Sequence, residues 1–513
     1  MGRSKVRALT SGGLAEQTVW SGIAQIVPQV ISLATVPILL RHLGLSGYGV
    51  WALINTLIIF AVSLDGGIGL SAQRFFSVYL SRGDANNAFR LATTLTAAAI
   101  SFAALIYALG PLLAQLLLKI VHVPQELQPY ATIMLRNLGI LVLLVLLSNI
   151  LSGYLRSVDR FRAIAISATL TNLGFLIGLL YLGSRITIIS VFVLTLLQIC
   201  MLDFLLAISA RSFLRGIRLR ILPKVELIGF MAYAWRTQVT SASGLAIVQT
   251  DAIFVASILP IEQLAYLAIG SQVATAARSV PMFVLPPLLS RLTNVFGSAG
   301  TVGVTQLANR QNRRWVSGIG VYVSIAIPSA AFIVRSWGGP YPAAELVAVI
   351  LMIGNGFNLL TGVATIYCSA IGRPGLVARY GLGLLVGNMA LSWPSTYLWG
   401  LPGAVGSTAV VQLVAAAYFY IVMRRNVPAF EMALSNINLS RIGWLSLLTF
   451  GLMVGSLFLA APSILAFGAT VAGVAVTLGL AVWGVSRDSG WRASRDGHSS
   501  LSVGASLRRD AQA

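Results

Sequence analysis

This sequence carries little charge for its length, and that scarcity limits what it can be. Only 10% of its 513 residues are charged, whereas 57% are hydrophobic. The mean hydropathy is +0.85. An ordinary soluble domain has about 25% charged residues. A chain this apolar cannot cover a water-exposed surface with polar groups, so the composition excludes a soluble globular protein.

Cysteine, lysine and histidine are also scarce. Cys200 and Cys368 both lie in apolar runs, which excludes a disulfide framework and a CxxC metal pattern. None of the lysines (Lys5, Lys119 and Lys224) follows a glycine, so the sequence has no P-loop and ATP hydrolysis is not expected. The three histidines form no metal-ligand cluster and no DxD pair is present. The sequence therefore predicts no cofactor and no metal.

The net charge is high but dispersed. It is +21, which in a soluble protein would suggest nucleic acid. Here the charges are divided among short loops between apolar runs, so no continuous basic face exists for a duplex. We expect no nucleic-acid partner.

Apolar runs near the length that crosses a hydrocarbon core recur along the whole sequence. Inside a bilayer each segment must satisfy its own backbone groups, so the runs predict an all-α integral membrane protein of about 14 transmembrane helices. The predicted spans are 18–40, 47–64, 88–109, 131–154, 163–183, 187–208, 228–250, 264–287, 315–335, 344–366, 377–398, 404–423, 442–461 and 465–485. Turns at Gly44–Gly47, Gly339–Pro340 and Gly400–Pro402 separate some of them.

Lysine and arginine set the orientation of such a protein, because they concentrate on the cytoplasmic side. With the N-terminus inside, every inside segment holds at least two of these cations and no outside segment holds more than one. A missed or invented span would reverse the alternation after it. The pattern therefore supports both termini in the cytoplasm. The polar stretch after Ser486 is predicted to be disordered.

Two regions of the sequence resemble each other. LLRHLGLSGYGVWALINTLI begins at Leu39, and VASILPIEQLAYLAIGSQVA begins at Val255. Each combines the end of one apolar helix, a tight turn, a patch of small or aromatic residues and a new apolar helix. The offset is 216 residues, or six spans. An even number of spans preserves orientation, so the two halves are expected to be related by an axis along the membrane normal.

The segment from Arg41 to Asp84 resembles the N-terminal signature of bacterial polysaccharide flippases. It reads RHLGLSGYGVWALINTLIIFAVSLDGGIGLSAQRFFSVYLSRGD. The shared pattern is an LG turn, a Tyr-Gly pair, and a second helix that closes on Asp, Gly, a short apolar stretch and Arg. The matching residues here are Leu43, Gly44, Tyr48, Gly49, Asp65, Gly66, Gly67 and Arg74. The stretch from Asp251 to Tyr266 and the basic loop RSVDRFR are also similar to the family.

The resemblance implies the polysaccharide-transporter branch of the multidrug/oligosaccharidyl-lipid/polysaccharide exporter superfamily. It implies two pseudo-symmetric six-helix lobes around a central cavity, plus two C-terminal helices. The expected division is a cytoplasmic N-terminal tail at 1–15, an N-lobe at 16–222, a C-lobe at 223–426, two accessory spans within 427–486, and a cytoplasmic tail at 487–513.

Charge inside a membrane is costly and usually functional. Arg278 is near the middle of the eighth predicted span, Arg236 lies within the seventh, and Arg136 is about one turn into the fourth. We expect these arginines to line a cationic cavity, where a guanidinium grips phosphate oxygens in a bidentate manner. The alternative for each is a snorkelling arginine or a structural ion pair.

Acids and amides in the predicted spans are further candidates. Asp251, near the outer end of the seventh span, and Asp203, in the sixth, are candidates for binding a coupling proton or sodium ion. Each could equally pair with an arginine. Gln25 and Gln29 lie one turn apart on the first span and are candidate substrate-binding residues, although such amides often only join neighbouring helices. Asp65 is expected to be a structural turn residue.

The leading functional hypothesis is a flippase that moves a polyprenyl-diphosphate-linked oligosaccharide across the bacterial inner membrane by alternating access. Its expected partners are that substrate, membrane lipids, and the polysaccharide polymerase and glycosyltransferases of cell-surface polysaccharide synthesis. A drug or metabolite antiporter of the same superfamily is the first alternative. A membrane polymerase or ligase is a second. It would be expected to have a large outside loop with a catalytic cluster, which the outside loop at about 110–130 does not resemble. No enzyme activity is therefore expected.

Overall fold

The computed structural model describes residues 12–63, 68–216, 220–282 and 284–432. Several helical side chains, those of Gln25 and Arg236 among them, lie outside the described part. So do Asp65, the predicted accessory spans at 442–461 and 465–485, and the polar tail. Within the described ranges the chain is helical, with a few short 3-10 and π turns and no strand.

The helices follow one another with short connections. In chain order they are α1 (Gly12–Ser63), α2 (Ile68–Ser81), α3 (Ala85–Ile120), α4 (Gln128–Arg136), α5 (Leu138–Ser157), α6 (Phe161–Leu182), α7 (Ile188–Ser209), α8 (Arg211–Leu214), α9 (Lys224–Ile258), α10 (Ile261–Met282), α11 (Leu285–Ile333), α12 (Pro342–Leu360), α13 (Gly362–Ala370) and α14 (Pro374–Asn426).

Three of the longest helices are interrupted at glycine. The backbone turns at Gly44 in α1 (φ 67°), at Gly300 in α11 (φ 63°) and at Gly400 in α14 (φ 62°). Glycine takes these positive φ values without the steric cost that a Cβ would impose. The breaks at Gly44 and Gly400 confirm the turns predicted there, so α1 and α14 each contain two helical arms.

The helix surfaces are those of a membrane protein. Eight helical segments of the described chain are long and apolar enough to cross a bilayer. Large apolar side chains face outward along them, including Leu105, Ile177 and Leu180. Water would penalise such surfaces, whereas lipid does not. Together these features define a multi-pass membrane protein.

Helix contacts place α1 at the centre of the molecule. α1 packs against α6 of its own half and against α9 and α10 of the other half. In the first half, α5 packs against both α2 and α3. In the second half, α10 packs against α12, and α14 packs against α9 and α12. The space between α1, α9 and α10 is therefore enclosed by helices from both halves of the sequence.

Two helices of the structure were not predicted as spans, because they carry polar or charged residues. No span was predicted for α2 or for the part of α11 before Gly300. α2 carries Gln73 and Arg74, and α11 carries Arg291, which lowers the hydropathy of both segments. The predicted span at 131–154 is divided, since α4 ends at Arg136 and α5 begins at Leu138.

Candidate functional site

A cavity of about 450 Å³ lies at the centre of the helix bundle. Residues of α1, α6, α7, α9, α10, α12 and α14 line it. Its volume falls within the range of about 300–1,000 Å³ that is usual for small-molecule sites. The polar side chains of the wall are mostly hydroxyls and amides. They are Ser32, Thr35, Asn55, Thr56, Asn172, Thr195, Gln198, Gln249, Ser271, Gln272, Thr275, Asn355, Thr408 and Gln412.

The cavity wall follows the internal repeat. A lining residue of α1 and the residue 216 positions later both face the cavity, as for Thr35 and Asp251 or for Thr56 and Gln272. Six further pairs with the same offset line it: Val36 and Ala252, Tyr48 and Leu264, Trp51 and Leu267, Ala52 and Ala268, Asn55 and Ser271, and Ile59 and Thr275. The offset read from the sequence therefore relates equivalent positions of one wall.

Charge in this wall is confined to two side chains. Asp251 and Arg278 are the only charged residues among the described residues that line the cavity. Two of the predicted site residues are thus brought to one cavity, one from α9 and one from α10.

Arg278 has few protein partners. Its Nη2 donates a hydrogen bond of 2.9 Å to Asn358 Oδ1, and Asn358 in turn donates to the Tyr380 hydroxyl at 2.8 Å. Its Nε is buried and has no hydrogen-bond partner. No carboxylate of the described chain lies within ion-pair distance of Arg278. The guanidinium therefore keeps unused donors, as an anion-binding residue would.

Asp251 is held by a cluster of neutral donors from α14. Its side chain is 3% exposed. Its Oδ1 accepts hydrogen bonds from Asn388 Nδ2 at 3.0 Å and from Ser392 Oγ at 2.6 Å. Its Oδ2 accepts a hydrogen bond from the Thr408 hydroxyl. Both arms of α14 thus converge on one carboxylate of α9.

The cluster has the chemistry of a site for a proton or a hard monovalent cation. Its ligands are one carboxylate, hydroxyls and the Asn388 Oδ1 atom, which lies 2.8 Å from the Thr408 hydroxyl oxygen. Oxygen ligands suit hard cations rather than transition metals. In the part of the chain that is described, no group of three or more His, Cys, Asp or Glu residues could hold a metal ion.

Asp203 lies elsewhere. It is on α7, in a separate apolar pocket with Tyr154 and Phe204, and not in the central cavity. Its Oδ1 accepts a hydrogen bond from Ser148 at 2.6 Å, and its Oδ2 is buried without a partner. Its role in ion coupling stays a prediction.

The remaining predicted site residues are dispersed. Gln29 donates a hydrogen bond of 3.1 Å to Ser279, which joins α1 to α10. Arg136 is exposed at the end of α4 and does not line the cavity. The backbones of Gln25 and Arg236 lie in α1 and α9. For these four residues a role in substrate binding stays a prediction.

Sequence reasoning missed the amides that join the halves at the cavity. Gln272 of α10 donates a hydrogen bond of 2.7 Å to Ser32 of α1. Gln198, Gln249 and Gln412 also line the cavity. The repeat offset was the usable signal, because it pairs Gln272 with Thr56 in the predicted span at 47–64.

The fold and the polar central cavity define this chain as a multi-pass membrane protein whose helices enclose a cavity. Solved structures share that architecture. The lipid II flippase MurJ in an inward closed conformation has a TM-score of 0.67 at 14% identity, covering 92% of this chain and 99% of that one. An inward-facing multidrug resistance MATE family transporter of the MOP superfamily has a TM-score of 0.61 at 12% identity, covering 80% and 98%.

The Vibrio cholerae MATE transporter VcmN has a TM-score of 0.57 at 13% identity, covering 82% of this chain and 100% of that one. At such identities these likenesses show the fold alone. A family model described as polysaccharide biosynthesis protein matches residues 14–293. The chain belongs to the polysaccharide biosynthesis protein family. No curated protein matches its sequence.

Proposed function

We propose that this protein is a flippase that moves a polyprenyl-diphosphate-linked oligosaccharide from the inner to the outer leaflet of the bacterial inner membrane. The observation that carries the proposal is Arg278, a guanidinium in the central cavity with no ion-pair partner in the described chain. A diphosphate supplies oxygens that a guanidinium binds through two parallel hydrogen bonds. The family description and the likeness to a lipid II flippase support the same substrate class.

The rest of the cavity suits a sugar. Hydroxyls and amides from α1, α6, α7, α10 and α12 line it, and such groups can both donate to and accept from sugar hydroxyls. The lipid tail would stay in the bilayer, where its burial costs nothing. The phosphate end would lie at Arg278, with the sugars along the amide-rich wall.

The mechanism that we propose is alternating access between two lobes, 16–222 and 223–426, followed by two accessory spans. The paired positions 216 residues apart in the cavity wall support this division. The arginine distribution supports 14 spans with both termini in the cytoplasm. Glycosyltransferases and a polymerase acting before and after translocation are the partners that this reaction requires.

The ion that drives net transport would bind at Asp251. Its carboxylate is buried among neutral donors on the wall of the same cavity, so its charge state bears directly on how α9 packs against α14. Protonation or cation binding there removes a buried negative charge, which is costly when uncompensated.

A drug or metabolite antiporter is the second candidate, because MATE transporters share this fold. A cationic drug would be repelled by Arg278 and drawn to Asp251. The two hypotheses therefore predict opposite effects of removing the arginine.

The test is translocation of a fluorescent polyprenyl-diphosphate-linked disaccharide by the full chain in sealed proteoliposomes. Arg278→Ala should weaken binding by about ten- to hundredfold, since a hydrogen bond to a charged group contributes about 1.5–3 kcal/mol. Arg278→Lys should recover little of the binding, because lysine keeps the charge but cannot form the two parallel hydrogen bonds of a guanidinium. Arg185→Ala, at an exposed arginine outside the cavity, is the matched control. Full activity in Arg278→Ala would refute the proposal, and tighter binding of a cationic dye would favour the antiporter.

A further inference from the structure

Arg278 is held by a neutral side chain that lies outside the wall of the central cavity. Its Nη2 donates a hydrogen bond of 2.9 Å to Asn358 Oδ1 of α12. Arg278 lines the cavity, whereas Asn358 and the side chain that it contacts in turn, Tyr380 of α14, do not. Asn358 therefore contacts the guanidinium from behind and does not reach a molecule in the cavity.

The orientation of the Asn358 amide follows from the chemistry of its two neighbours. A guanidinium only donates hydrogen bonds, so Asn358 turns Oδ1 toward Arg278. Nδ2 then faces the Tyr380 hydroxyl, which can accept, and donates to it at 2.8 Å. Tyr380 is itself buried. The amide is thus fixed between a donor and an acceptor, and it fixes one end of the guanidinium in turn.

The backbone beside Asn358 is fixed as well. α12 ends at Leu360, and the last carbonyl groups of a helix need donors from outside it. Trp315 of α11 donates its Nε1 hydrogen to the Leu359 carbonyl at 2.7 Å, and the Tyr420 hydroxyl of α14 donates to the Leu360 carbonyl at 3.0 Å. Two aromatic donors thus bind the end of α12 and hold Asn358 at a set position.

The backbone beside Arg278 has a similar support. The Tyr322 hydroxyl of α11 donates to the carbonyl of Ala277, the residue before Arg278, at 2.5 Å. The side chains that hold the pair all belong to helices of the second half, and they are Trp315, Tyr322, Tyr380 and Tyr420. The cation is therefore preorganised on rigid elements of one half, and a movement of the halves would carry this support with it.

Asn358 supports this cation without compensating its charge. A charge held away from water is costly, and a carboxylate is the ordinary counter-ion for it. Asparagine and aspartate have nearly the same shape, so position 358 could carry that carboxylate without repacking. It carries an amide instead, and no carboxylate of the described chain lies within ion-pair distance of Arg278. Within the described residues the positive charge therefore stays available to a bound anion.

We propose that Asn358 is a positioning residue for the diphosphate: it orients Arg278 through a neutral acceptor and so leaves the full positive charge for the substrate. A carboxylate at position 358 would form an ion pair with the guanidinium and compete with the phosphate oxygens for its hydrogen bonds. The inference rests on the proposed function, in which Arg278 binds the diphosphate. It adds a residue that acts through Arg278 and does not touch the substrate.

A purely structural role for Asn358 predicts a different order of variants. Polar side chains inside membrane spans often only join neighbouring helices. In that case Asn358→Asp, which keeps an acceptor facing Arg278, would be milder than Asn358→Ala, which loses both hydrogen bonds. The proposed role predicts the reverse order, because only the aspartate cancels the charge that the substrate needs.

The test is the affinity of the full chain in lipid nanodiscs for the fluorescent polyprenyl-diphosphate-linked disaccharide. Asn358→Asp should weaken binding by about ten- to hundredfold, as Arg278→Ala does, since the interaction lost is a hydrogen bond between charged groups. Asn358→Ala should weaken binding by only about two- to tenfold, because the charge remains and only its orientation is lost. That smaller loss should vanish in an Arg278→Ala background, because Asn358 acts through the arginine.

Two controls separate this effect from misfolding. Asn358→Asp should melt at or above the wild-type temperature, because the new carboxylate compensates a partly buried charge. Asn426→Asp makes the same change at an exposed amide whose side chain bonds only within α14, and it should leave binding unchanged. Binding in Asn358→Asp that is as tight as in Asn358→Ala, or tighter, would overturn the role of Asn358 while leaving Arg278 as the anion site. Unaltered binding in Arg278→Ala would overturn the proposed function itself.

Discussion

The Ser46 hydroxyl donates a hydrogen bond to the Glu262 carboxylate, with 2.5 Å between the oxygens, and the two residues are 216 positions apart. That is the offset between the similar sequence segments, so each residue meets its own counterpart in the repeat. The backbone is equally close beside them. A Cβ on Gly49 would lie 2.4 Å from the Ile261 carbonyl oxygen. The two turns, which the arginine distribution predicts to lie outside, therefore meet face to face.

Loss of the Ser46–Glu262 bond should favour separation of the outer turns. A hydrogen bond to a charged group contributes about 1.5–3 kcal/mol, so Ser46→Ala should raise the outward-open population by about tenfold or more. The measurement is the spin-label distance between Ser184→Cys and Pro340→Cys, both exposed, in a Cys200→Ser and Cys368→Ala background. Ser157→Ala, whose hydroxyl bonds only within its own helix, is the control. An unchanged distance distribution in Ser46→Ala would contradict the prediction.

The sequence predicted the helical class, several glycine turns and the repeat, because each of these is a local or periodic property. The turn at Gly44 is an example, since an apolar run ends there and glycine alone takes its φ of 67° easily. The prediction for Arg278 depended on the free-energy cost of placing a charge inside a membrane span. Such charges are usually functional, and Arg278 does line the central cavity.

Other features could not be read from the sequence because they depend on where distant helices meet. Asn388, Ser392 and Thr408 are ordinary polar residues of an apolar segment until α14 packs against α9 and brings them to Asp251. Arg136 is the opposite case, because its position within a predicted span suggested a buried side chain. A break between α4 and α5 instead leaves it exposed at a helix end.

A second contact joins the halves at the opposite face. Glu226, in the first turn of α9, accepts hydrogen bonds from the Tyr79 hydroxyl at 2.8 Å and from Asn87 Nδ2 at 3.0 Å. Glu226→Ala should therefore favour separation at this face, the reverse of Ser46→Ala. The measurement is the distance between spin labels at Ser212→Cys and Arg310→Cys, which should lengthen. Tyr79→Phe should give a smaller change in the same direction, and a shorter distance in either variant would contradict the prediction.

The same four positions test the proposed topology. Ser184 and Pro340 lie between predicted spans on the side that the arginine distribution places outside, whereas Ser212, on α8, and Arg310, on α11, lie between predicted spans on the side that it places inside. All four are exposed, so a thiol at each should react wherever the reagent reaches it. In intact cells an impermeant maleimide should label Ser184→Cys and Pro340→Cys but not Ser212→Cys or Arg310→Cys, and permeabilisation should expose all four. Because one missing span between residues 212 and 340 would reverse the later positions, labelling of Arg310→Cys in intact cells would refute the 14-span arrangement.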